Sequence, residues 1–375
     1  MKIMIGLSGG VDSAVAAYLL KQQGYEVVGG FMRNWDALAN NDYLGNPTIN
    51  NPQCPQEKDY QDAKAVAEKL GIPLLRADFV KEYWDSVFSY FLREYENGRT
   101  PNPDVFCNKY IKFDSFLKFA KENGCDKIAM GHYAKKGTFE GRDCLYKAFD
   151  KNKDQSYFLS QIDEAQISSC LFPLGEIAKP QVREIAHALD LSSVMDKKDS
   201  TGVCFIGERN FREFLSNYLP SKKGKIVEGK TGKVVGEHRG VLYYTIGQHK
   251  GLGIGGVSGE EEGAFFIYKK DVKNNILYVA KAKDSYLLDS TSCFADHVNW
   301  VGEKPSGPIK VGVKFRYRQP DQFATLFFHE DEVELIYETP VKAVTPGQIA
   351  VFYDGERMLG GGIISRIYRG DERID

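Results

Sequence analysis

Apolar positions run along this chain in two different rhythms. Through the first half, short apolar runs of strand length are separated by stretches with helical spacing; past residue 225 the apolar positions alternate and glycine becomes frequent. Residues 2–7 (KIMIGL) predict a strand buried on both faces, 8–13 (SGGVDS) a tight loop, and the residues to Gln23 a helix with Gly24 just past its end. Residues 25–32 (YEVVGGFM) predict the next strand, and strand, helix and strand within about thirty residues make a βαβ unit and hence a parallel sheet. Residues 34–56, rich in Asn, Pro and Asp, predict a loop or lid.

Beyond it come an amphipathic helix at 58–70 ended by Gly71, a strand at 72–79, an aromatic-rich helix at 81–96 ended by Gly98, a helix at 108–123 and a short strand at 126–130. Continued to about residue 205, this alternation predicts a doubly wound α/β domain. A last helix is expected at 211–218. Residues 264–268 and 276–279 predict a hairpin, and the strands at 309–317, 323–328, 332–337, 348–353 and 358–367 a small β-barrel or sandwich. The resulting boundaries are 1–208, 209–284 and 285–375.

Composition narrows this little. Hydrophobic residues are 42% and charged residues 27% of the 375, as in ordinary soluble globular proteins. No apolar run approaches the roughly 20 residues that span a bilayer, and no signal or Arg-rich transit segment precedes the first strand, so no membrane partner and a cytoplasmic location are expected. A net charge of −2 leaves nucleic-acid binding to local basic patches. Seven cysteines, at 54, 107, 125, 144, 170, 204 and 293, include no C-x-x-C pair. An odd, scattered set argues against a disulfide framework or a zinc site, so no metal ligands are assigned and reactivity is the reason to look at any of them.

Two glycines in Ser8-Gly9-Gly10-Val11-Asp12-Ser13 let backbone N–H groups approach phosphate oxygens, and the following helix adds a positive dipole end. The bland alternative is a glycine turn that only packs tightly. The loop is not G-x-x-x-x-G-K-[ST]. S-G-G-x-D-S after a first strand resembles the PP-loop of the ATP pyrophosphatase family, whose members bind the pyrophosphate part of ATP and adenylate a substrate carbonyl with Mg²⁺ assisting. Gly251-Leu252-Gly253-Ile254-Gly255-Gly256 also matches G-x-G-x-x-G, but no helix follows it, so it is expected to be a flexible loop.

In Arg99 to Phe113 (RTPNPDVFCNKYIKF), two prolines stiffen the lead-in and Asp104 is placed as a helix N-cap, which puts Cys107 at the third helical position. The helix dipole, with Lys109 and Lys112 nearby, favours thiolate there; a small buried apolar cysteine is the alternative. Cys204 lies in DSTGVCFIGER, a polar loop with two glycines. Cys125 and Cys170 are expected to pack, Cys144 to lie by a strand, Cys293 in the β region and Cys54 in the long loop.

Together these stretches resemble more closely the tRNA-specific 2-thiouridylase (MnmA, or TrmU) family. The matching segments are GLSGGVDS, GRTPNPDVFCNKYIKF, MGHYA, KDQSYFL, DSTGVCFIGER, YTIGQHKGLGIGG and KFRYRQP, spanning residue 6 to about 320. The resemblance implies a PP-loop catalytic domain, a mostly-β central domain that meets tRNA and a C-terminal β-barrel. It implies catalytic roles for Cys107 and Asp104 and a persulfide on Cys204. ATP contacts fall on Gly6, Leu7, Ser8, Gly9, Gly10, Val11, Asp12, Ser13, Met32 and Gly131. Contacts to the target base fall on Asn102, Pro103 and Asp104, and further tRNA contacts on Lys153, Asp154, Gln155, Arg316 and Tyr317. It also implies ATP and Mg²⁺, a persulfide sulfur donor protein, a disulfide reductant, and 2-thiolation of the wobble uridine of lysine, glutamate and glutamine tRNAs.

The chain departs from the pattern in reading Asp-Ser-Ala at the loop's end and in a longer segment at 37–56. His132 reads equally as a base or as a hydrogen-bonded structural residue and is left out of the site; Lys197, Lys198, Lys222, Lys223 and Lys225 could touch phosphates but are expected to be solvated. Rival readings are an amide-forming PP-loop ligase and a non-catalytic ATP-gated RNA-binding protein, neither of which needs the two cysteines.

Overall fold

The computed structural model describes residues 1–50, 55–198, 206, 209–254 and 264–375. Strands β1 (Lys2–Gly6), β2 (Glu26–Arg33), β3 (Leu74–Asp78) and β4 (Lys127–Ala129) lie in one parallel sheet, joined by Cys170–Leu171, with β1 central between β2 and β4. The apolar run of β1 is buried on both faces, as its sequence predicts. Ile3 and Ile5 pack with the helices α1 (Val11–Gln22) and α2 (Pro55–Leu70), while Met4 packs with the helices on the other side.

The opposite face is covered by two helical runs that each contain a π-helical turn. One comprises Val80–Tyr83, Trp84–Phe88 and Ser89–Glu96; the other comprises Pro103–Phe106, Cys107–Ser115 and Phe116–Glu122. The second run begins five residues before the expected 108 and continues through the nine-residue π segment that Cys107 opens. Asn102, with extended φ −113° and ψ 94°, is its N-cap, and Pro103 is its first residue. Asp104 is therefore the second helical residue rather than the cap, and Cys107 is the fifth rather than the third.

The strand–helix alternation also breaks where continuity was expected. The hairpin Ala134–Phe139 and Arg142–Lys147 is antiparallel and leaves the parallel sheet. It reaches the C-terminal sheet instead, where Tyr146 pairs with Arg357. Cys144 lies within its second strand.

Past the helix Phe211–Ser216, a four-stranded sheet contains Gly224–Glu228, Val234–His238 and the expected hairpin, here Phe265–Asp271 and Ile276–Lys281. The C-terminal strands settle the choice between sandwich and barrel. Asp289–Trp300, Glu332–Lys342, Gln322–Phe328, Ile309–Lys314, Ile349–Asp354 and Arg357–Arg369 pair in that order, and the last pairs back with the first, closing a barrel. Its interior holds Val313, Leu326, Leu335, Ala350, Phe352 and Ile364, each fully buried. Among the described residues no helix is long and apolar enough to cross a membrane.

A candidate nucleotide and thiol site at the sheet edge

The loop between β1 and α1 is built to leave N–H groups free for an anion. Gly10 is the N-cap of α1 in extended backbone, and no side chain caps the helix. Its first-turn donors therefore lack the usual side-chain acceptor, and the dipole adds partial positive charge. Gly9 turns with φ +73°, and a Cβ there would lie 2.3 Å from the Asp59 carbonyl oxygen of α2. Only glycine meets both demands.

Ser13 braces the loop. Its hydroxyl donates to the Gly10 carbonyl at 3.0 Å and accepts from the Ser8 N–H at 3.2 Å. A Cβ on Gly131, just past β4, would lie 3.0 Å from the Ser13 nitrogen, so the end of β4 abuts the start of α1. Gly6 is bordered by Met32 and Met130 in the same way, at 3.2 and 3.0 Å. The structure thus gathers Gly6 to Ser13, Met32 and Gly131 at one edge of the sheet, beyond the carboxyl ends of its strands. That is where open α/β sheets bind ligands.

Three side chains outside the expected site complete this edge. Asp12 Oδ1 accepts from the Tyr133 hydroxyl at 2.7 Å and from Lys179 Nζ at 2.7 Å. Lys197 Nζ donates to the Gly9 carbonyl at 2.8 Å, to Asp59 at 2.6 Å and to Asp62 at 2.9 Å. Burial works against the Lys197 charge, but Asp59 and Asp62 outweigh it and the ammonium pKa is raised. The expectation of a solvated Lys197 is thus corrected. No local pattern marks Lys179, whose partner Asp12 lies 167 residues away.

The Cys107 helix reaches the same edge. Lys112 Nζ lies 3.5 Å from His132 Nε2, in the residue after Gly131. His132 is half-buried, its Nδ1 is enclosed with no hydrogen-bond partner, and burial followed by the Lys112 charge lowers its pKa well below the ordinary value. Cys107 is fully buried. Of the lysines expected to favour its thiolate, Lys109 donates instead to Gln161 Oε1 at 3.3 Å, and burial lowers its pKa. Asn102, Pro103 and Asp104 are half-buried at the helix start. Asn102 meets the Tyr157 hydroxyl, which donates to the Ile349 carbonyl of the barrel at 3.1 Å. Gln348 Nε2 donates to the Thr100 carbonyl at 2.7 Å, so barrel and Cys107 helix are fastened at the lead-in.

The residues expected to meet tRNA divide in character. Lys153 and Gln155 are half-buried, and Gln155 Oε1 accepts from the Tyr133 N–H at 3.0 Å. The Asp154 carboxylate is buried and occupied within the chain, accepting from Ala148 N at 3.0 Å, Ser156 N at 3.2 Å and the Ser156 hydroxyl at 3.0 Å. It shapes the loop rather than facing outward. Arg316 is likewise turned inward, its Nη2 donating to the carbonyls of Ile246 and Ala343 at 2.8 Å each and to Thr345 Oγ1 at 3.1 Å. The Tyr317 ring lies 4.4 Å from that of Phe158.

Cys204 and Cys54 lie outside the described residues, as does most of the Gly251 motif beyond Ile254. Cys125, Cys144, Cys170 and Cys293 are buried, and burial pushes up the thiol pKa of Cys125, Cys170 and Cys293, the last to about 12. No group of metal-ligating residues occurs among the described residues.

A parallel sheet with an uncapped glycine loop after its first strand makes an α/β protein suited to bind an anion, and the family match places it in the HUP class. Residues 1–208 match the family described as tRNA methyl transferase HUP domain, 212–281 the tRNA methyl transferase PRC-barrel domain and 290–364 the Aminomethyltransferase beta-barrel domain. The chain is 52% identical to the tRNA-specific 2-thiouridylase MnmA of Mycoplasma mycoides subsp. mycoides SC, over 98% of this chain and 99% of that protein. It is 52% identical to the MnmA of Mycoplasmopsis synoviae, over 99% and 97%. With the MnmA of Shigella boydii serotype 4 it shares 50%, over 97% of each. The chain belongs to the tRNA-specific 2-thiouridylase family, a family of tRNA-modifying enzymes.

Proposed function

We propose that the protein uses ATP to replace the 2-oxygen of the wobble uridine of lysine, glutamate and glutamine tRNAs with sulfur, in the cytoplasm. The observation that carries this reading is the abutment of Gly131 on Ser13, which brings the phosphate loop, the end of β4 and, through His132 and Lys112, the Cys107 helix to one edge.

The uncapped start of α1 and the open face of Gly10, where an added Cβ would meet only Ser8 Oγ at 3.4 Å, suit a pyrophosphate. Gly6 and Met32 would flank the nucleoside. Asp12 would be the carboxylate facing Mg²⁺ brought in with the triphosphate, and the ion would offset charge on the departing pyrophosphate. Lys179 and Tyr133 fix the Asp12 rotamer.

The uridine leaves its stack to enter beside Asn102, Pro103 and Asp104. Its 2-oxygen attacks the α-phosphorus and pyrophosphate departs. The terminal sulfur of a persulfide on Cys204, supplied by a donor protein, attacks C2, and AMP leaves with the original oxygen. The Cys107 thiolate attacks the Cys204 sulfur, the S–S bond breaks, the transferred sulfur remains as thiocarbonyl, and a Cys107–Cys204 disulfide forms. An external reductant must open it each turnover. Asp104, in the first turn of that helix, serves as general acid/base for these proton movements. Lys153, Gln155 and Tyr317 contribute to the tRNA face, with Asp154 and Arg316 holding it in shape. The parts 1–208, 209–284 and 285–375 act as catalytic, central and barrel domains.

The test is incubation with unmodified tRNA, ATP, Mg²⁺ and a persulfide source, followed by digestion and mass spectrometry. ATP-dependent 2-thiouridine is expected, and Cys107→Ser and Cys204→Ser should each reduce it by at least about a hundredfold. Pyrophosphate release with no thiolated base would overturn the sulfur-transfer half. Thiolation that survives both substitutions would remove the cysteines from the mechanism.

A further inference from the structure

The π segment that Cys107 opens runs nine residues to Ser115, against five in the π turn Trp84–Phe88 of the neighbouring run. In such a segment an N–H reaches the carbonyl five residues back, as the Phe116 N–H does to Ile111. π-Helix is rare and mostly a single turn long, so a segment of this length needs something to hold it. Its two ends are pinned to different parts of the molecule. Ahead of it, Thr100 N donates to the Pro346 carbonyl at 2.9 Å and Gln348 Nε2 to the Thr100 carbonyl at 2.7 Å. Toward its far end, the Phe113 ring lies 5.9 Å from that of Phe172 and Lys112 Nζ lies 3.5 Å from His132 Nε2.

Between the pins, side chains take hold of the backbone carbonyls. The Ser115 hydroxyl donates to the Tyr110 carbonyl at 3.0 Å, and the Ser89 hydroxyl does the same for Trp84 in the other run at 2.9 Å. The Cys107 segment has a further holder from outside the helix. Gln166 Nε2 donates to the Lys109 carbonyl at 3.1 Å and to the Phe113 carbonyl at 3.2 Å.

Gln166 is itself fixed. It belongs to the short helix Glu164–Ser168, where its Oε1 accepts from the Asp163 N–H at 3.0 Å and its own N–H donates to Asp163 Oδ1 at 2.8 Å, a capping box. Lys136, on the hairpin that leaves the parallel sheet, donates to the Ile167 and Ser168 carbonyls at 2.9 and 3.2 Å, and Lys127 of β4 donates to the Ser168 carbonyl at 2.9 Å. With Oε1 taken by Asp163, the two amide hydrogens go one to each carbonyl of the π segment.

Helical backbone turns by about 100° per residue, so a residue gained or lost in the winding between the pinned ends swings the Cys107 thiol by about that angle around the axis. One amide bridging two carbonyls of the segment fixes the winding between them. We propose that Gln166 is a positioning residue for Cys107: by holding the Lys109 and Phe113 carbonyls it keeps the π winding that sets the direction of the thiol for sulfur transfer. The inference rests on the reading of Cys107 as the attacking thiolate.

The experiment uses the full chain with three substitutions. Gln166→Glu keeps the acceptor for Asp163 but sets an oxygen against both carbonyls, Gln166→Met removes the amide altogether, and Asp163→Ala breaks the capping box while leaving the two carbonyl bonds. Measured for each are the melting temperature, single-turnover 2-thiouridine formation across tRNA concentrations, and the rates at which iodoacetamide alkylates Cys107 and Cys293, followed by peptide mass. Cys293, fully buried in the barrel, reports opening of the molecule as a whole. Both Gln166 variants are expected to thiolate at least about tenfold more slowly at saturating tRNA, with the half-maximal tRNA concentration within about threefold of the parent. Their ratio of Cys107 to Cys293 alkylation should change at least about fivefold. Asp163→Ala should lower the melting temperature and keep thiolation and the ratio within about twofold. Thiolation that follows the melting temperature across all three variants, or an unchanged ratio in both Gln166 variants, would overturn the proposal. If Gln166→Glu fails to fold, Gln166→Met gives the decision. A parent that makes no 2-thiouridine would remove the reading of Cys107 as the attacking thiolate, and the alkylation ratio would still decide the positioning: equal ratios refute it.

Discussion

His132 shows how a single buried side chain carries a pH signature. Its imidazole is largely withdrawn from solvent next to a lysine, so the folded protein resists protonating it, while the unfolded chain takes up the proton near pH 6.5. The unfolded state then binds more protons, and stability falls as pH drops below about 6.5. His132→Gln should remove this component. The loss of melting temperature between pH 7 and pH 5 is expected to be smaller in the variant, with the buried His238 contributing equally to both proteins. Equal losses would mean that His132 is solvated when folded. The same enclosure bears on Cys107. Its full burial matches the bland reading of a packed thiol as well as the reactive one, and the reactive reading requires the uridine to open a path to it.

At the scale of elements, the turn into α1 and the Cys107 helix respond differently to substitution. Gly9→Ala forces a Cβ into φ +73° and to within 2.3 Å of the Asp59 backbone. Left-handed strain alone costs about 1–3 kcal/mol, and the displaced α2 backbone adds to it. Both a lower melting temperature and weaker ATP binding by calorimetry are expected; a Gly9→Ala protein that binds ATP like the parent would mean that the loop does not hold phosphate. In the Cys107 helix, the run from Cys107 to Ser115 is π-helical. Such wide turns cluster at functional sites, and neither apolar period nor helix propensity distinguishes them from α-helix. Asn102, Pro103 and Asp104 are all good residues for a helix start. Asn102 takes the cap, and two residues ahead of it Thr100 is held by the barrel at Pro346 and Gln348.

Across the whole molecule, the barrel and the α/β domain share hydrogen bonds that are buried or partly buried. Gln161 Nε2 donates to the Gly361 carbonyl at 2.7 Å, and Asn299 Nδ2 donates to the carbonyls of Ser160 and Ile162 at 3.0 and 2.8 Å. Asn299→Ala strands two acceptors at the junction, at a cost of about 1–3 kcal/mol. Calorimetry should show one cooperative transition in the parent and a lower or split transition in the variant. Two independent transitions in the parent would mean that the junction carries no stability. Arg316 plays the corresponding part between central domain and barrel, so its substitution should disturb both.

The strands, the glycine loop and most helices were legible in the chain because each depends on local rules: apolar period, a glycine where only positive φ fits, and a turn residue past a helix end. The motifs around Ser8–Ser13, Asn102–Cys107 and Asp199–Arg209 could be read in the same way, because each is contiguous. Three matters were decided only by tertiary structure. The hairpin at 134–147 deserts the parallel sheet because its partner is the barrel strand Arg357–Arg369. Lys179 and Lys197 join the phosphate loop because folding brings them to Asp12 and Gly9 across 167 and 188 residues. Asp42 buries its charge because Arg209 meets it there. A charge or hydrogen bond between distant residues leaves no period and no spacing in the sequence; it exists only once packing has set the distance.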